Sequence, residues 1–438
     1  MTPETTAYEI PYGRSAMSFR LPAGMRGTVI ATKRVPPLED VESAVAVALA
    51  SPIGSPPVRQ LAGRGDRVCI VFTDITRASP DDVLVPGFLR ELEVAGVRDE
   101  DITLLCGIGM HRPSTHEEKL TKLGRAVVER YRVIDHEPQN EDALIDLGVT
   151  RGGVPVSVHE AAVNADLLLA TGLVEPHQYA GYSGGRKTVA VGAAGEPLIE
   201  HTHGPAFVDD PDTRLGRIEG NPFHQAITEA ANLAGLDVIL NVVLDEEEQV
   251  VCVKAGEPVE THRQLVEFAR SLYEVPIPRQ YDVAIAGVGY PKDANLYQAS
   301  RAASYLFFAP TPVVRSGGYI VVPARCGEGA GEGVGEQRFL AAMRDAPDVR
   351  AILGDAREHG YPPGEQRAFV MAKVLEEVNV VIVGSACPGV VAACKMEPVE
   401  TVEQALALAA GDLGRDLEVL IVPHALLTLP VVTPEESR

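Results

Sequence analysis

Two histidines stand where strand-like segments of the sequence end. His111 closes the run ITLLCGIGMH, and His177 closes the run ADLLLATGLVEPH. Histidine has the side-chain pKa nearest neutrality, so it can both take up and release a proton. Two histidines at neighbouring strand ends could face one substrate from opposite sides, as a reaction that inverts a stereocentre requires. Structural hydrogen bonding is the alternative role for both residues.

A third strand-like run, RVCIVFTD, ends in the polar tip DITR. Asp74, Thr76 and Arg77 offer a hydrogen-bond acceptor, a hydroxyl donor and a cation that can form two parallel hydrogen bonds. This set of groups suits a phosphoribosyl or carboxylate ligand. We therefore expect an anionic ligand to bind at this strand end.

The segment HQYAGYSGGRKTVAVGAAG is similar to a nucleotide-binding loop. In the pattern GxxxxGK[ST], glycine amides cradle phosphates and the lysine neutralises their charge. Here Gly184 and Gly185 come shortly before the Lys-Thr pair. Arg186, however, stands directly before the lysine, where the pattern has glycine and where a side chain would intrude on the ligand. The neighbouring histidines have no place in an ATPase. The loop instead predicts that Lys187 anchors a cofactor or forms a covalent bond, and a nucleotide-dependent kinase or ligase is the alternative.

Five of the other histidines, and the cysteines, are not arranged for chemistry. The six cysteines are scattered without a CxxC pair, which argues against a zinc or iron–sulfur site and indicates buried, reduced thiols. Five histidines lie in polar surroundings, and we expect them to be solvated and to have no role: His116, His136, His159, His262 and His359.

The composition is that of a globular protein with a strong negative charge. The chain has 438 residues, of which 45% are hydrophobic and 23% charged. A formal net charge of −22 and the lack of Lys/Arg runs argue against a nucleic-acid partner. An anionic substrate therefore needs a local cationic pocket. The N-terminus lacks signal-peptide features and no apolar run reaches roughly 18 residues, so we expect a cytoplasmic protein without a membrane partner.

Strand-like and helical segments alternate along the chain, as in α/β domains with largely parallel sheets. The three strands with polar ends should bring those ends to one edge, because ligands bind beyond the carboxyl ends of strands in such sheets. The segment 237–257 predicts a hairpin, and the alternation restarts after a linker. We therefore predict a cofactor-binding α/β domain at 1–275, a second α/β domain at 276–438, and an active site in the cleft between them.

The motifs DITR, GMHRPST, HxxAGYSGGRK and GNPFH, in this order and at these separations, resemble the nickel-dependent lactate racemase family. NLYQASRAA in the second domain adds to the resemblance, which covers roughly residues 8–425. It implies an isomerase that racemises or epimerises a small-molecule 2-hydroxy acid. It also implies cofactor-maturation enzymes as partners. The alternative to an enzyme is a protein that carries nickel or the cofactor without catalysing a reaction.

The resemblance implies a cofactor and the residues that hold it. Members of this family use nickel in pyridinium-3,5-bisthiocarboxylic acid mononucleotide, the nickel-pincer nucleotide, which a thioamide joins to a lysine. The matching lysine is Lys187, and the matching nickel ligand sixteen residues further on is His203, with His201 as a near competitor. The family's nucleotide-binding strand end corresponds to Asp74, Ile75, Thr76 and Arg77.

The resemblance also implies the chemistry. The two acid–base histidines of the family correspond to His111 and His177. One removes the hydroxyl proton while the C2 hydrogen leaves as hydride to the cofactor, which gives a planar 2-keto acid. The hydride then returns to the other face while the second histidine supplies the proton, and the configuration at C2 is inverted.

The substrate contacts match the family with one departure. Tyr297 and Gln298 correspond to the family's Tyr-Gln pair, but Arg301 stands where lactate racemases carry lysine. On a helix these three residues share one face. Arg77 or Arg301 would clamp the substrate carboxylate, and an arginine fork occupies more room than a lysine ammonium. We therefore expect a substrate that is longer or more polar than lactate, such as a dicarboxylate or a sugar acid.

Overall fold

A computed structural model describes residues 7–433. Its strands are β1 (Ala7–Tyr12), β2 (Ser15–Arg20), β3 (Arg26–Val29), β4 (Val68–Thr73), β5 (Ile102–Gly107), β6 (Arg132–Asp135), β7 (Leu144–Val149), β8 (Pro155–His159), β9 (Leu167–Leu173), β10 (Pro176–His177), β11 (Gly181–Tyr182), β12 (Leu236–Leu244), β13 (Val250–Gly256), β14 (Glu274–Ile277), β15 (Tyr281–Ala286), β16 (Val314–Pro323), β17 (Asn379–Val383), β18 (Glu397–Val399), β19 (Glu418–Val422) and β20 (Leu429–Val432). Its helices are α1 (Val41–Ala50), α2 (Asp81–Ala95), α3 (His116–Leu123), α4 (Arg125–Arg130), α5 (Glu160–Val163), α6 (Lys187–Ala190), α7 (Glu196–Thr202), α8 (Pro205–Asp209), α9 (Pro222–Leu233), α10 (Pro258–Tyr273), α11 (Leu296–Ala299), α12 (Arg301–Phe307), α13 (Val334–Asp345), α14 (Val349–His359), α15 (Gln366–Glu377), α16 (Pro388–Ala393) and α17 (Val402–Leu413). Within this range, no helix combines the length and the apolar character needed to cross a membrane.

The chain folds into two compact units, which differ from the predicted division into residues 1–275 and 276–438. The first unit comprises residues 34–203 and 217–272, and the second comprises the remaining described residues. The N-terminal residues join the second unit because β3 pairs in parallel with β19. Residues 204–216 join it because Asp209 forms ion pairs with Arg357 at 2.8 Å and Lys373 at 2.6 Å. Sequence alone carried no sign of these distant pairings.

The first unit is built on a six-stranded sheet in the order β13-β12-β9-β4-β5-β6. Neighbouring strands from β12 to β6 are parallel, and only the pair β12 and β13 is antiparallel, which confirms the hairpin predicted at 237–257. All seven residues of β9 are buried. A strand covered on both faces has no polar side, which is why its sequence is a continuous apolar run.

Helix α2 covers one face of this sheet. Leu84, Phe88 and Leu92 recur at four-residue intervals, so they lie on one side of the helix, and all three are fully buried. They belong to one apolar core with residues from β4, β5, β9 and β12. The helix begins directly after the polar tip that follows β4, so its packing fixes where that tip leaves the sheet.

The second unit has a six-stranded sheet in the order β18-β17-β16-β15-β19-β3, in which every neighbouring pair is parallel. Its core combines the sheet with α17 and the hairpin of β1 and β2. The two units together confirm the predicted fold class, two α/β domains with largely parallel sheets.

Three histidines that we expected to be solvated are buried. His136, His159 and His262 are 0%, 7% and 2% exposed. His136 Nε2 donates to the Ala194 carbonyl at 2.8 Å, and His262 Nε2 donates to the Ser183 carbonyl at 2.9 Å. The prediction was wrong because polar neighbours in sequence do not tell which side of a strand end or helix faces inward. The other two histidines of that group are exposed, as predicted.

Candidate active site

The three polar strand ends lie at one edge of the first unit's sheet. Strands β9, β4 and β5 are neighbours and parallel, so the loops that follow them leave the sheet on the same side. His177 follows β9, Asp74 follows β4, and His111 follows β5. His111 Nδ1 lies 2.6 Å from Asp74 Oδ2, so a hydrogen bond joins two of the three loops.

Asp74 is buried and ionised. Burial alone would raise the pKa of Asp74, but the hydrogen bonds from His111 and Thr76 and the nearby cations outweigh it and hold that pKa below its ordinary value. Because the carboxylate accepts, His111 carries a proton on Nδ1 and its basic nitrogen is Nε2. Thr76 Oγ1 donates to Asp74 Oδ1 at 2.7 Å, and Ile75 between them is exposed.

The tip at residues 74–77 is stabilised by a buried ion pair between Lys122 and Asp81. Lys122 of α3 donates to the carbonyls of Arg77 at 2.8 Å and Ser79 at 2.6 Å. Its Nζ also lies 3.2 Å from Asp81 Oδ2, and both charged side chains are less than a tenth exposed. The main chain of the tip is therefore fixed, whereas the Arg77 side chain is exposed. Sequence analysis did not single out Lys122 or Asp81.

His177 is oriented by the main chain that follows it. Its Nδ1 accepts from the backbone N–H groups of Tyr179 and Ala180, each at 3.2 Å, so a neutral ring carries its proton on Nε2. The rings of Tyr179 and Phe223 contact His177, with centroids 5.9 and 6.4 Å away. The same two rings contact His203, at 5.2 and 5.1 Å. His177 and His203 therefore share two aromatic neighbours.

His203 is a neutral imidazole at the end of α7. The pKa of His203 is lowered to about 4, mainly by burial and also by the charge of Lys187, while a hydrogen bond to Ile199 opposes both effects. Its Nδ1 donates to the Ile199 carbonyl at 2.9 Å, which makes Nε2 the nitrogen with the lone pair. A neutral imidazole of this kind suits metal ligation. His201, two residues earlier, is exposed.

Lys187 begins the short helix α6 and is only partly exposed. Burial lowers the pKa of Lys187 to about 7, the positive charge of Arg77 adds to this effect, and Glu175 and Asp74 oppose it. A large fraction of the amine is therefore neutral and nucleophilic near pH 7. These mutual effects also place Lys187 within electrostatic reach of Asp74, Arg77 and His203.

Three of the four predicted substrate contacts, Tyr297, Gln298 and Arg301, lie in the second unit, on α11 and α12. Arg301 Nη1 donates to Gln298 Oε1 at 3.4 Å, and Nη2 donates to the Tyr305 hydroxyl at 2.8 Å. Tyr297 instead lies beneath the guanidinium of Arg367, whose Cζ is 5.6 Å from the ring centroid. The structure thus brings Gln298 and Arg301 together and gives Tyr297 a different neighbour.

The donor set fits a metal-bearing anionic group that is tethered to the protein. Among residues 7–433, no three His, Cys, Asp or Glu side chains are grouped so that they could hold a metal ion. A metal beside His203 would therefore need ligands other than a cluster of these side chains. Lys187 offers a partly neutral amine for attachment, and Arg77 offers a cation for a phosphate or carboxylate.

Known proteins are similar to this chain over most of its length. The family model described as the lactate racemase N-terminal domain matches residues 12–216, and the lactate racemase C-terminal domain matches residues 278–429. Lactate racemase from Thermoanaerobacterium thermosaccharolyticum is 31% identical over 424 residues, which cover 95% of this chain and 97% of that protein. Lactate racemase from Lactiplantibacillus plantarum is 31% identical over 390 residues, which cover 88% and 90%.

Solved structures agree with this result. The lactate racemase apoprotein from T. thermosaccharolyticum superimposes with a TM-score of 0.85 at 28% identity, covering 97% of this chain and 100% of that one. A protein from Thermotoga maritima shares the fold, with a TM-score of 0.67 at 20% identity over 90% of this chain and 98% of that one. Matches of this extent define the protein as an isomerase of the racemase type. It belongs to the lactate racemase family.

Proposed function

We propose that the protein is a cofactor-dependent racemase or epimerase of a 2-hydroxy acid. The observation that carries this proposal is the cluster of Lys187, His203, Asp74 and His111 in the first unit. It combines a partly neutral amine, a neutral imidazole and a carboxylate–histidine pair, in which the amine interacts electrostatically with the imidazole and with the carboxylate. Membership of the lactate racemase family supports the class of reaction.

The proposed cofactor is the nickel-pincer nucleotide, pyridinium-3,5-bisthiocarboxylic acid mononucleotide with bound nickel. Lys187 would hold it covalently, His203 Nε2 would bind the nickel, and the tip at residues 74–77 would bind its phosphoribosyl group. When bound, the cofactor supplies the acceptor for the C2 hydrogen, which leaves as hydride. The lowered pKa of Lys187 supports this role, since only a neutral amine forms the thioamide.

His111 and His177 would handle the hydroxyl proton. His111 presents the lone pair of Nε2, and once it takes a proton the Asp74 carboxylate stabilises the imidazolium. His177 in its neutral form presents a hydrogen on Nε2. In one direction His111 acts as the base and His177 as the donor on the opposite face, and the reverse direction exchanges the two roles.

We also propose that Arg77, Tyr297, Gln298 and Arg301 contact the substrate. Tyr305 and Gln298 accept hydrogen bonds from Arg301, so its planar guanidinium is already ordered before a substrate carboxylate binds. An ordered fork recognises a carboxylate by two parallel hydrogen bonds, which a lysine cannot form. This arrangement supports a substrate longer or more polar than lactate.

The test uses protein co-expressed with the cofactor-maturation enzymes. Intact mass and metal analysis should show an adduct on Lys187 and bound nickel. The holoenzyme should then interconvert the C2 epimers of malate, 2-hydroxyglutarate or an aldonic acid faster than it racemises lactate. An adduct and nickel without turnover of any 2-hydroxy acid would favour a carrier, and nucleoside triphosphate hydrolysis without nickel would favour a kinase or ligase. Lactate as the best substrate would contradict the role of Arg301.

The two histidines near the end of α7 provide a matched pair of variants. His203→Ala should lose nickel and activity, because the hydrogen bond of His203 Nδ1 to Ile199 leaves the Nε2 lone pair of this ring for a metal. His201→Ala should retain both, because His201 is exposed. Metal content after purification decides between them, and loss of nickel in His201→Ala alone would assign the ligand to the other histidine.

A further inference from the structure

The loop that carries Lys187 is closely packed against its neighbours. Gly184 and Gly185 adopt positive φ angles of 72° and 57°. A Cβ at Gly184 would lie 2.7 Å from the Leu173 carbonyl oxygen, and a Cβ at Gly185 would lie 2.7 Å from Cδ2 of His262. Only glycine meets both demands, so the loop lies directly against the end of β9 and against α10.

Arg186 ties the same loop to two helices. Its side chain is 3% exposed, in contrast to the partly exposed Lys187 that follows it. Nη1 donates to the Pro258 carbonyl at 2.8 Å, and Nη2 donates to His224 Nε2 at 2.7 Å. The same Nη2 lies 3.4 Å from Nδ1 of His262. The guanidinium therefore connects the loop to α9 and α10 at once.

The charge of Arg186 is unusually poorly compensated. In residues 7–433 no carboxylate forms an ion pair with it, and its Nε has no hydrogen-bond partner. Burial lowers the pKa of Arg186 to about 10, and the charge of Glu257 opposes this only in part. A buried, unpaired guanidinium costs stability that an apolar side chain of similar size would not. The contacts of the guanidinium with α9 and α10 therefore explain this residue better than a gain in overall stability does.

We propose that Arg186 is a positioning residue for cofactor attachment: its guanidinium, bound to α9 and α10, holds the loop in the conformation that presents the Lys187 amine to the cofactor. This inference rests on the proposed role of Lys187 as the cofactor tether. It also explains why the position that phosphate-binding loops fill with glycine carries a side chain here. The arginine points into the protein interior, so it does not occupy the ligand's place.

The experiment uses the full-length apoprotein and two variants, Arg186→Lys, which keeps the charge but loses the fork, and Arg186→Met, which loses both. Lys187 is acetylated with acetic anhydride over a range of pH, and peptide mass spectrometry measures the modified fraction. At a fixed short reaction time, the rate of modification in the unaltered protein should reach half of its maximum near the lowered pKa of about 7. Both variants should need a pH higher by at least about one unit, toward the ordinary lysine value, because a released loop lets the ammonium reach water.

Leu92→Ala is the control for a loss of stability, because Leu92 is a fully buried core residue of α2. It should lower the melting temperature without shifting the acetylation profile of Lys187. An unshifted profile in both Arg186 variants would overturn the proposal, and so would a profile of Arg186→Lys equal to that of the unaltered protein. If the Arg186 variants do not fold, His224→Ala removes one acceptor of the fork and should give a smaller shift; no shift would again overturn the proposal.

Co-expression with the maturation enzymes separates this inference from the proposed function. The Arg186 variants should carry a several-fold smaller fraction of adduct than Leu92→Ala, as read from intact mass. An unaltered protein with no adduct on Lys187 would contradict the proposed function, whereas the acetylation profiles of the apoprotein would still decide the role of Arg186. Equal adduct in the Arg186 variants and the control would overturn the positioning role alone.

Discussion

The hydrogen bond between Asp74 and His111 fixes the tautomer of the His111 ring, with the proton on Nδ1. Asp74→Asn keeps the size of the side chain, but its amide can donate to Nδ1 and so favour the ring form with a proton on Nε2. That form cannot act as a base through Nε2. We therefore expect the racemisation rate to fall by about 10²–10⁴-fold, as is typical when an acid–base group is lost.

The measurement is the steady-state rate of the holoenzyme, with intact mass as the control for cofactor content. Thr76→Val is the matched variant, because it removes the other side-chain hydrogen bond to Asp74 and leaves that of His111 in place. A rate in Asp74→Asn equal to that of the unaltered enzyme at equal cofactor content would contradict the role of Asp74.

The common sheet edge of three candidate residues could be predicted from their positions in the sequence. Asp74, His111 and His177 stood out because polar side chains end apolar strands, and parallel strands bring their carboxyl ends to one edge. Lys122 and Arg186 could not be assigned in the same way. Their importance comes from burial and from contacts with carbonyl groups of distant residues, which leave no trace in the neighbouring sequence.

Helix α3 contributes to the site through one buried lysine. Lys122→Met leaves Asp81 with a buried charge and no cation, and it also frees the carbonyls of Arg77 and Ser79. Removing one partner of a buried ion pair typically lowers the free energy of unfolding by about 3–5 kcal/mol. Urea unfolding, followed by circular dichroism, measures this loss.

The neighbouring helix α4 provides the control. Arg125 and Glu129 form an exposed ion pair at 3.1 Å on that helix. Arg125→Met should therefore change the free energy of unfolding by only about 0–1 kcal/mol. Equal effects of the two substitutions would show that the pair of Lys122 and Asp81 does not support the tip.

Elements that are buried on both sides were predictable, and an exposed edge strand was not. Strands β4 and β9 are continuous apolar runs, since a parallel strand within a sheet has no polar face. In contrast, β3 has the sequence RGTV and is largely exposed, although it completes the second unit's sheet beside β19. Such a pairing depends on a partner far away in sequence, so the local pattern does not indicate it.

The stability of the whole molecule should depend on pH through its buried histidines. Burial lowers the pKa of His136 and of His224 to about 4, from an ordinary value of 6.5. Between these values the unfolded chain binds protons that the folded protein excludes. The stabilisation is therefore fully present above pH 6.5 and is lost as the pH falls toward 4, by up to about 1.4 kcal/mol per pH unit for each histidine.

Melting temperatures of the apoprotein at pH 7.5 and pH 5 test this expectation. His136→Gln should reduce the difference between the two temperatures, because a glutamine does not titrate. His359→Gln is the control, since His359 is exposed. A melting temperature that is the same at both pH values would show that the buried rings do not govern the acid sensitivity of the fold.

The pairing of β3 with β19 also sets the order in which the molecule can be completed during synthesis. Glu418 of β19 follows Val29 of β3 by 418 − 29 = 389 residues. A ribosome that adds roughly 5–20 residues per second needs about 20–80 s to cover that distance. The first unit ends at Leu272, so it can fold on the nascent chain well before β19 is made. Until β19 is synthesised, β3 has no strand to pair with. The second unit is therefore the part of the nascent chain that most needs protection from aggregation.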